Sequence, residues 1–416
     1  MDAGTAVLRE LALQYLEVAT SPEQARRRAL WSRHNSLQKT TSPVLLCFGM
    51  WNAWCQKDYS ADTLACEHPL LRQYEWFFKI RLLQWQMGDD DVFEPWITLD
   101  ASRDPRWGWN NPYGDAMSFV QQKSAMSGGA SKHRAVLTDW KDMDKLEAAP
   151  HRIDEEATRR RLGIVQDALG DLIDIDVRRT PLYHVWRADL ATNLAELRGM
   201  EQIMIDVYEE PEELHRLLAF MRDAVLANQQ EAEDAGDYSL TSAENQGCSY
   251  AEDLEALKPN CPGKKRKEIW GHMAAQEYTL ISPEMHDEFL LQYQLPIIEK
   301  FGPIKYGCCE DLTRKIDLLR KIPNLRTIAV APSADVGRCV EQIGRDYVIA
   351  WHPNPTDMVA SQNADESRIR KIIREELGKL KGSCFHVLLK DIETVCGEPL
   401  RMKRWVEIVR EELASL

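Results

Sequence analysis

The last third of the chain alternates between two hydrophobic patterns. Four short runs rich in β-branched and aromatic residues, IKYGCCE (304–310), RTIAVAP (326–332), YVIAWHP (347–353) and FHVLLKD (385–391), are separated by DLTRKIDLLRKI, DVGRCVEQIG and DESRIRKIIREELGKL, whose apolar residues recur every three or four positions. The runs predict strands and the spacers helices, and strands joined in this way by short connections predict a parallel sheet, closed or open. Upstream, 154–169 and 211–235 carry helical spacing, with Pro211 an early helical residue. Residues 268–282 predict one more strand and a loop, leading to a helix capped by Ser282 with Pro283 in its first position. Runs at 44–51 and 92–99 also predict strands, and 1–20 has the pattern of an amphipathic helix, the start of a helical extension over 1–40. Between 100 and 150 the rise in Pro, Gly and Asn predicts a long surface loop or lid. The fold class expected is α/β, a single domain over 1–416 built as a (βα)8 TIM-type barrel with an N-terminal aromatic-rich extension.

Composition narrows what such a domain does. The chain is 44% hydrophobic and 28% charged, without an apolar run long enough to cross a bilayer, so a water-soluble globule is expected. A net charge of -14 opposes nucleic-acid binding. The N-terminus does not read as a signal peptide, and the ten cysteines are scattered, which together predict a reducing cytoplasm and mostly inert thiols. Eight of the thirteen tryptophans precede residue 110, as packing for a cap or as a wall around a ligand, with Trp51 and Trp107 the candidates for the latter.

Each late strand ends in polar residues: Cys308, Cys309 and Glu310; Pro332, Ser333 and Asp335; His352, Pro353 and Asn354; Lys390, Asp391, Glu393 and Thr394. In a TIM barrel these ends form the catalytic face. Taken singly, Asp335 and Asp391 also fit as caps of following helices. Strand alternation puts Tyr306, Cys308 and Glu310 on one face and Cys309 on the other, unless the strand has already turned. If that face is inward, Cys308 meets Glu310 at the mouth, where a thiolate and a carboxylate suit zinc or simply pack; Cys396 reaches the same mouth from another direction. Glu277 is a candidate general base or ligand, and equally a surface charge. Dinucleotide, phosphate-loop, zinc-protease and nucleophile-elbow motifs are absent, which disfavours a nucleotide cofactor.

The segment LAELRGMEQIMIDVYEEPEELHRLLAFMRD (194–223), the helix opened by Ser282 and Pro283 through Phe289, Pro296 ahead of the next helix, KYGCCEDLTRKIDLLRKI and AWHPNPTDMVA together resemble the uroporphyrinogen decarboxylase superfamily. The resemblance spans 150–416 and, more loosely, the N-terminal third. It implies one of two activities. The arginine-rich motif with which the decarboxylases hold substrate carboxylates is replaced by ARRRALWSRHNSL, which favours the methyltransferase branch, where zinc acts with a corrinoid carried on a partner protein. That branch's metal-binding histidine is Tyr306 here, while Cys308 keeps the second position and Cys396 lies near the last. The reading that follows is a zinc-dependent methyltransferase acting on a small donor, such as an aromatic methyl ether, with Cys308, Cys309, Glu310, Cys396 and Glu277 as candidate ligands. Glu277, Tyr306 and Asp91 are its candidate catalytic groups, Tyr306 as ligand, proton donor or wall. His184, Arg187, Asp335, His352, Asn354 and Lys390 join the tryptophans as candidate substrate contacts. The alternative is a metal-free carboxy-lyase using Asp91 or Glu277, with Arg187 or Lys390 on the carboxylate; a ring-binding barrel without turnover is a third. A homodimer is the expected assembly.

Overall fold

The computed structural model describes residues 2–47, 63–115, 118, 120–123, 131–362 and 365–416. Eight of its strands run parallel: β1 (Val44–Leu46), β2 (Trp96–Asp100), β5 (Asp174–Arg178), β6 (Gly271–Met273), β7 (Ile304–Tyr306), β8 (Leu325–Val330), β9 (Val348–Trp351) and β10 (Phe385–Leu389). Two more, β3 (Val120–Lys123) and β4 (Ser131–Arg134), form an antiparallel hairpin inside the region expected to be a loop. One ladder runs β1-β10-β9-β8-β7-β6, so the first parallel strand pairs with the last, and β2 pairs with β5 in a separate sheet. The strand order suits a parallel barrel, but among the described residues the hydrogen-bonded ladder is open between β1 and β2 and between β5 and β6.

Side chains explain both breaks. Val44 and Leu46 turn their backbone polar groups to the edge of β1 that β2 would occupy. There Asp90 Oδ2 accepts from Val44 N–H (2.9 Å), Asp89 Oδ2 accepts from Leu46 N–H (3.0 Å), and Gln84 Nε2 donates to Leu46 O (3.0 Å). The acidic run 89–91 thus stands in for a neighbouring strand. At the edge of β5, the Asn260 carboxamide donates to Ile175 O (3.0 Å) and accepts from Val177 N–H (3.3 Å). Buried backbone groups must be paired, and here side chains pair them.

Alternation along the ladder gives it two buried faces, as parallel sheets require. Val44, Leu46, Met273, Ile304, Tyr306, Ile328, Val330, Ile349, Trp351, Val387 and Leu389 join the main core with the surrounding helices. The opposite, inward face carries Leu45, His272, Lys305, Thr327, Ala329, Ala350, His386 and Leu388, all buried. Helix Pro22–Asn35 reaches this face: Trp31 packs with Leu45 and Leu388, and His34 Nε2 lies 3.1 Å from His386 Nδ1. Helices Ala3–Ala19, Pro69–Met87 and Glu155–Leu169 build a second core against β2 and β5.

Of the three caps the sequence suggests, Ser282 and Asp335 open helices and Asp391 does not, while Asp154 and Asp365 are further caps. Asp154, Asp335 and Asp365 accept from the first-turn amides of Glu155–Leu169, Val336–Ile343 and Glu366–Leu380, and Ser282 accepts from Met285 N–H. Two expectations are corrected. Pro296 does not precede a helix but lies inside Gln292–Ile298, and the helix predicted over 311–322 contracts to Ile316–Leu319. Among the described residues no helix is long and apolar enough to cross a membrane, and Cys66, Cys248, Cys261, Cys308, Cys309, Cys339, Cys384 and Cys396 form no disulfide.

Candidate active site at the strand ends

Strand β7 stops at Tyr306 because Gly307 turns the chain at φ +97°, a region closed to most side chains, and a Cβ there would lie 2.7 Å from Leu312 and 3.1 Å from Ala329. The turn resets the alternation. Tyr306 faces outward, donating to Gln294 Oε1 (2.8 Å) with His286 Nε2 at 2.9 Å, so it does not share a face with Cys308 at the mouth. Cys308 follows the turn and is held from both sides. Its N–H donates to Glu310 Oε2 (2.8 Å), whose Oε1 accepts from Ala275 N–H (2.7 Å) beyond β6, and its carbonyl accepts from His352 Nδ1 (3.1 Å) beyond β9. These contacts fix His352 as the Nδ1–H tautomer.

Lys390, one residue past β10, completes the group. Its Nζ lies 2.6 Å from Cys308 Sγ, 3.3 Å from Cys309 Sγ and 3.4 Å from Asp391 Oδ2. The two sulfurs are 3.4 Å apart, and Cys309 Sγ is 3.4 Å from Asp391 Oδ2. The Cys309 hydrogen bond, followed by the Lys390 charge, outweighs burial and brings the Cys308 thiol down to about 7, while Cys309 is pushed up as the proton-bearing partner. Burial opposes the Lys390 charge, yet Cys308, Asp391 and Cys309 hold its pKa above the ordinary value. A thiolate beside an ammonium is therefore accessible at neutral pH.

The structure thus brings Cys308, Cys309, Glu310, His352 and Lys390 together, and adds Asp391, which caps no helix and adopts φ +56°. The remaining candidates are placed elsewhere or otherwise employed. Asp91 is bound by Arg81 and Gln84 beside the β1 edge. Arg187 pairs with Glu196 and Asn193 and lies 4.0 Å from the Trp109 ring centroid. Exposed Asp335 caps a helix, and exposed Asn354 accepts from Thr356 N–H (3.0 Å). Cys396 Sγ donates to Ala360 O (3.3 Å). His184 lies against β6 near Gly271 and Met273, and Trp107 packs on the main core. Trp51 is outside the described residues. Glu277 lines a cavity of ≈ 860 Å³ with Thr192, Glu196 and Arg198; burial, with Glu310 nearby, raises its carboxyl to about 6.

No family model and no curated protein matches this sequence. In fold, the chain is similar to a methyltransferase from Methanosarcina mazei. The TM-score is 0.53 at 11% identity, over 92% of this chain and 98% of that methyltransferase. Likeness at this identity speaks to the fold, and the chemistry must come from the site.

The donor set does not suit zinc as it stands. Among the described residues no group of three or more His, Cys, Asp or Glu side chains is placed to hold a metal ion. The two sulfurs and the Asp391 carboxylate instead surround the Lys390 ammonium, which supplies the positive charge a metal would bring.

Proposed function

We propose that the chain is a methyltransferase whose reacting group is the Cys308 thiolate held by Lys390. The observation that carries the reading is the 2.6 Å contact between Lys390 Nζ and Cys308 Sγ, past the ends of β10 and β7, which β8 and β9 separate in the ladder. The likeness in fold to a methyltransferase supports it. In the step itself the thiolate attacks the methyl carbon of the donor. A carbon–sulfur bond forms as the bond from methyl to its leaving atom breaks, and the leaving atom keeps the electron pair. Lys390 holds the thiolate before attack, and Glu310 and His352 keep the Cys308 backbone from moving, so little reorganisation remains to be made. A corrinoid on a partner protein, as the sequence resemblance implies, is the methyl carrier in this reading. The zinc implied by the same resemblance has no part in it.

The test uses free methylcob(III)alamin under anaerobic conditions. Formation of cob(I)alamin with a methyl thioether on Cys308, read by absorbance and mass spectrometry, is expected for the wild type and lost in Cys308→Ala. Folded wild type that transfers no methyl group, or transfer unchanged in the variant, overturns the assignment. Elemental analysis of protein purified without chelator addresses the counter-charge. Stoichiometric zinc that disappears in Cys308→Ala would replace Lys390 with a metal as partner of the thiolate.

A further inference from the structure

Below the thiol pair, the inward face of the sheet is built of polar groups that the methyl-transfer reading does not use. His272, Lys305 and Thr327 are direct register partners across β6, β7 and β8, each buried to within 5% of full coverage. His386 on β10 and His352 beyond β9 share this face by alternation, and Lys390 lies two steps above Leu388 on it. The electrostatic neighbours agree: Lys305 and Lys390 both act on His272 and His352, and Lys305 and His352 act on His386.

The bonding on this face is incomplete. Both ring nitrogens of His272, Nε2 of His352, Nε2 of His386 and the Thr327 hydroxyl are buried without a partner. Lys305 has one long contact, to Gln246 O at 3.3 Å. Among the described residues no carboxylate reaches Lys305 within ion-pair distance, Glu244 acting on it only from farther away. Burial and Lys390 bring the Lys305 ammonium down to about 8, so it is still charged at neutral pH. The Cys308 thiolate also acts on Lys305 but is already held by Lys390, so this buried cation, among unpaired polar groups, is costly unless something supplies further negative charge. Water can fill hydrogen bonds, but only an anion answers the charge.

We infer that His272, Lys305, Thr327 and His386 form a binding site for the oxyanion head of a small ligand, inside the sheet and beneath Cys308. Lys305 gives the ion pair, and His272 and Thr327 give directed hydrogen bonds from the strands on either side. Ala329 and Ala350, buried on the same face, are its smallest side chains. A ligand anchored there by its anionic end would extend towards the thiol.

The probe is sodium acetate, titrated calorimetrically into the full chain against sodium chloride of equal ionic strength. Saturable binding and a higher melting temperature in acetate than in chloride are expected. Lys305→Met should weaken binding about tenfold or more, while Lys371→Met, the same change at an exposed site, leaves it unaltered. Thr327→Val covers the case in which Lys305→Met does not fold. It removes an unpaired buried hydroxyl, so it should stabilise the free protein and still weaken acetate binding. Absence of saturation in the wild type, or equal binding in wild type and Thr327→Val, overturns the site and leaves water as its occupant. Because the readout is binding, acetate bound by a protein that moves no methyl group would separate this site from the proposed activity.

Discussion

At the residue scale the site rests on a charge contact between two strand ends. Removing the ammonium while keeping the side-chain length, as in Lys390→Met, should move the Cys308 thiol upward from about 7 towards the ordinary value near ~8.5. Thiolate absorbance against pH, compared with Cys308→Ala to identify the sulfur, reads that shift; a curve identical to wild type would dismiss Lys390 as the cause. Cys308, Lys390 and His352 were legible in the sequence as polar residues following predicted strands. Asp391 was legible in the same way, although an aspartate ahead of a presumed helix also reads as a cap, and only the absence of that helix frees it to approach Cys309. Tyr306 was misplaced by strict alternation, since a glycine with positive φ resets the count.

At the scale of elements, two devices position the site: the Gly307 turn and the side-chain edge on β1. Gly307→Ala would force a Cβ onto Leu312 and Ala329 at strained φ, at a cost of about 1–3 kcal/mol. Denaturation should record that loss, and thiol titration should record Cys308 leaving Lys390. Asp90→Ala should cost about 1–3 kcal/mol by leaving the Val44 N–H buried without an acceptor; stability equal to wild type would mean that the acidic run does not substitute for a strand. Asp91, a candidate catalytic carboxylate in the sequence, belongs to this brace through Gln84. No local pattern distinguishes an aspartate that pairs a strand edge from one that does chemistry.

For the whole molecule, the consequence of a polar interior is sensitivity to acid. Burial drives His34 and His286 down to about 3 and His272, His352 and His386 well below the ordinary value of 6.5. Their folded pKa values lie below the unfolded ones, so their contribution to stability is complete above pH 6.5 and is lost as pH falls towards 3. Five such groups would give at most about 7 kcal/mol per pH unit within that window. Asp89 and Glu277, raised to about 7 and about 6, and Asp189 and Glu244, also raised by burial, act in the opposite sense, their stability being lost as pH rises above about 4. They are four groups against six once His184, also brought down to about 3, is added. Urea midpoints measured between pH 4 and pH 7 should therefore fall steeply on the acid side, and a flat profile would mean that these imidazoles are hydrated. The sequence by itself determined the alternating strands and helices, the capped starts of the later helices and the gathering of polar residues after strands, because periodicity and capping are local. Tertiary structure alone decided which face each strand presents, how the unpaired edges are satisfied, and that an ammonium meets the thiol at the mouth. Those depend on contacts between residues up to hundreds of positions apart, which no local pattern records.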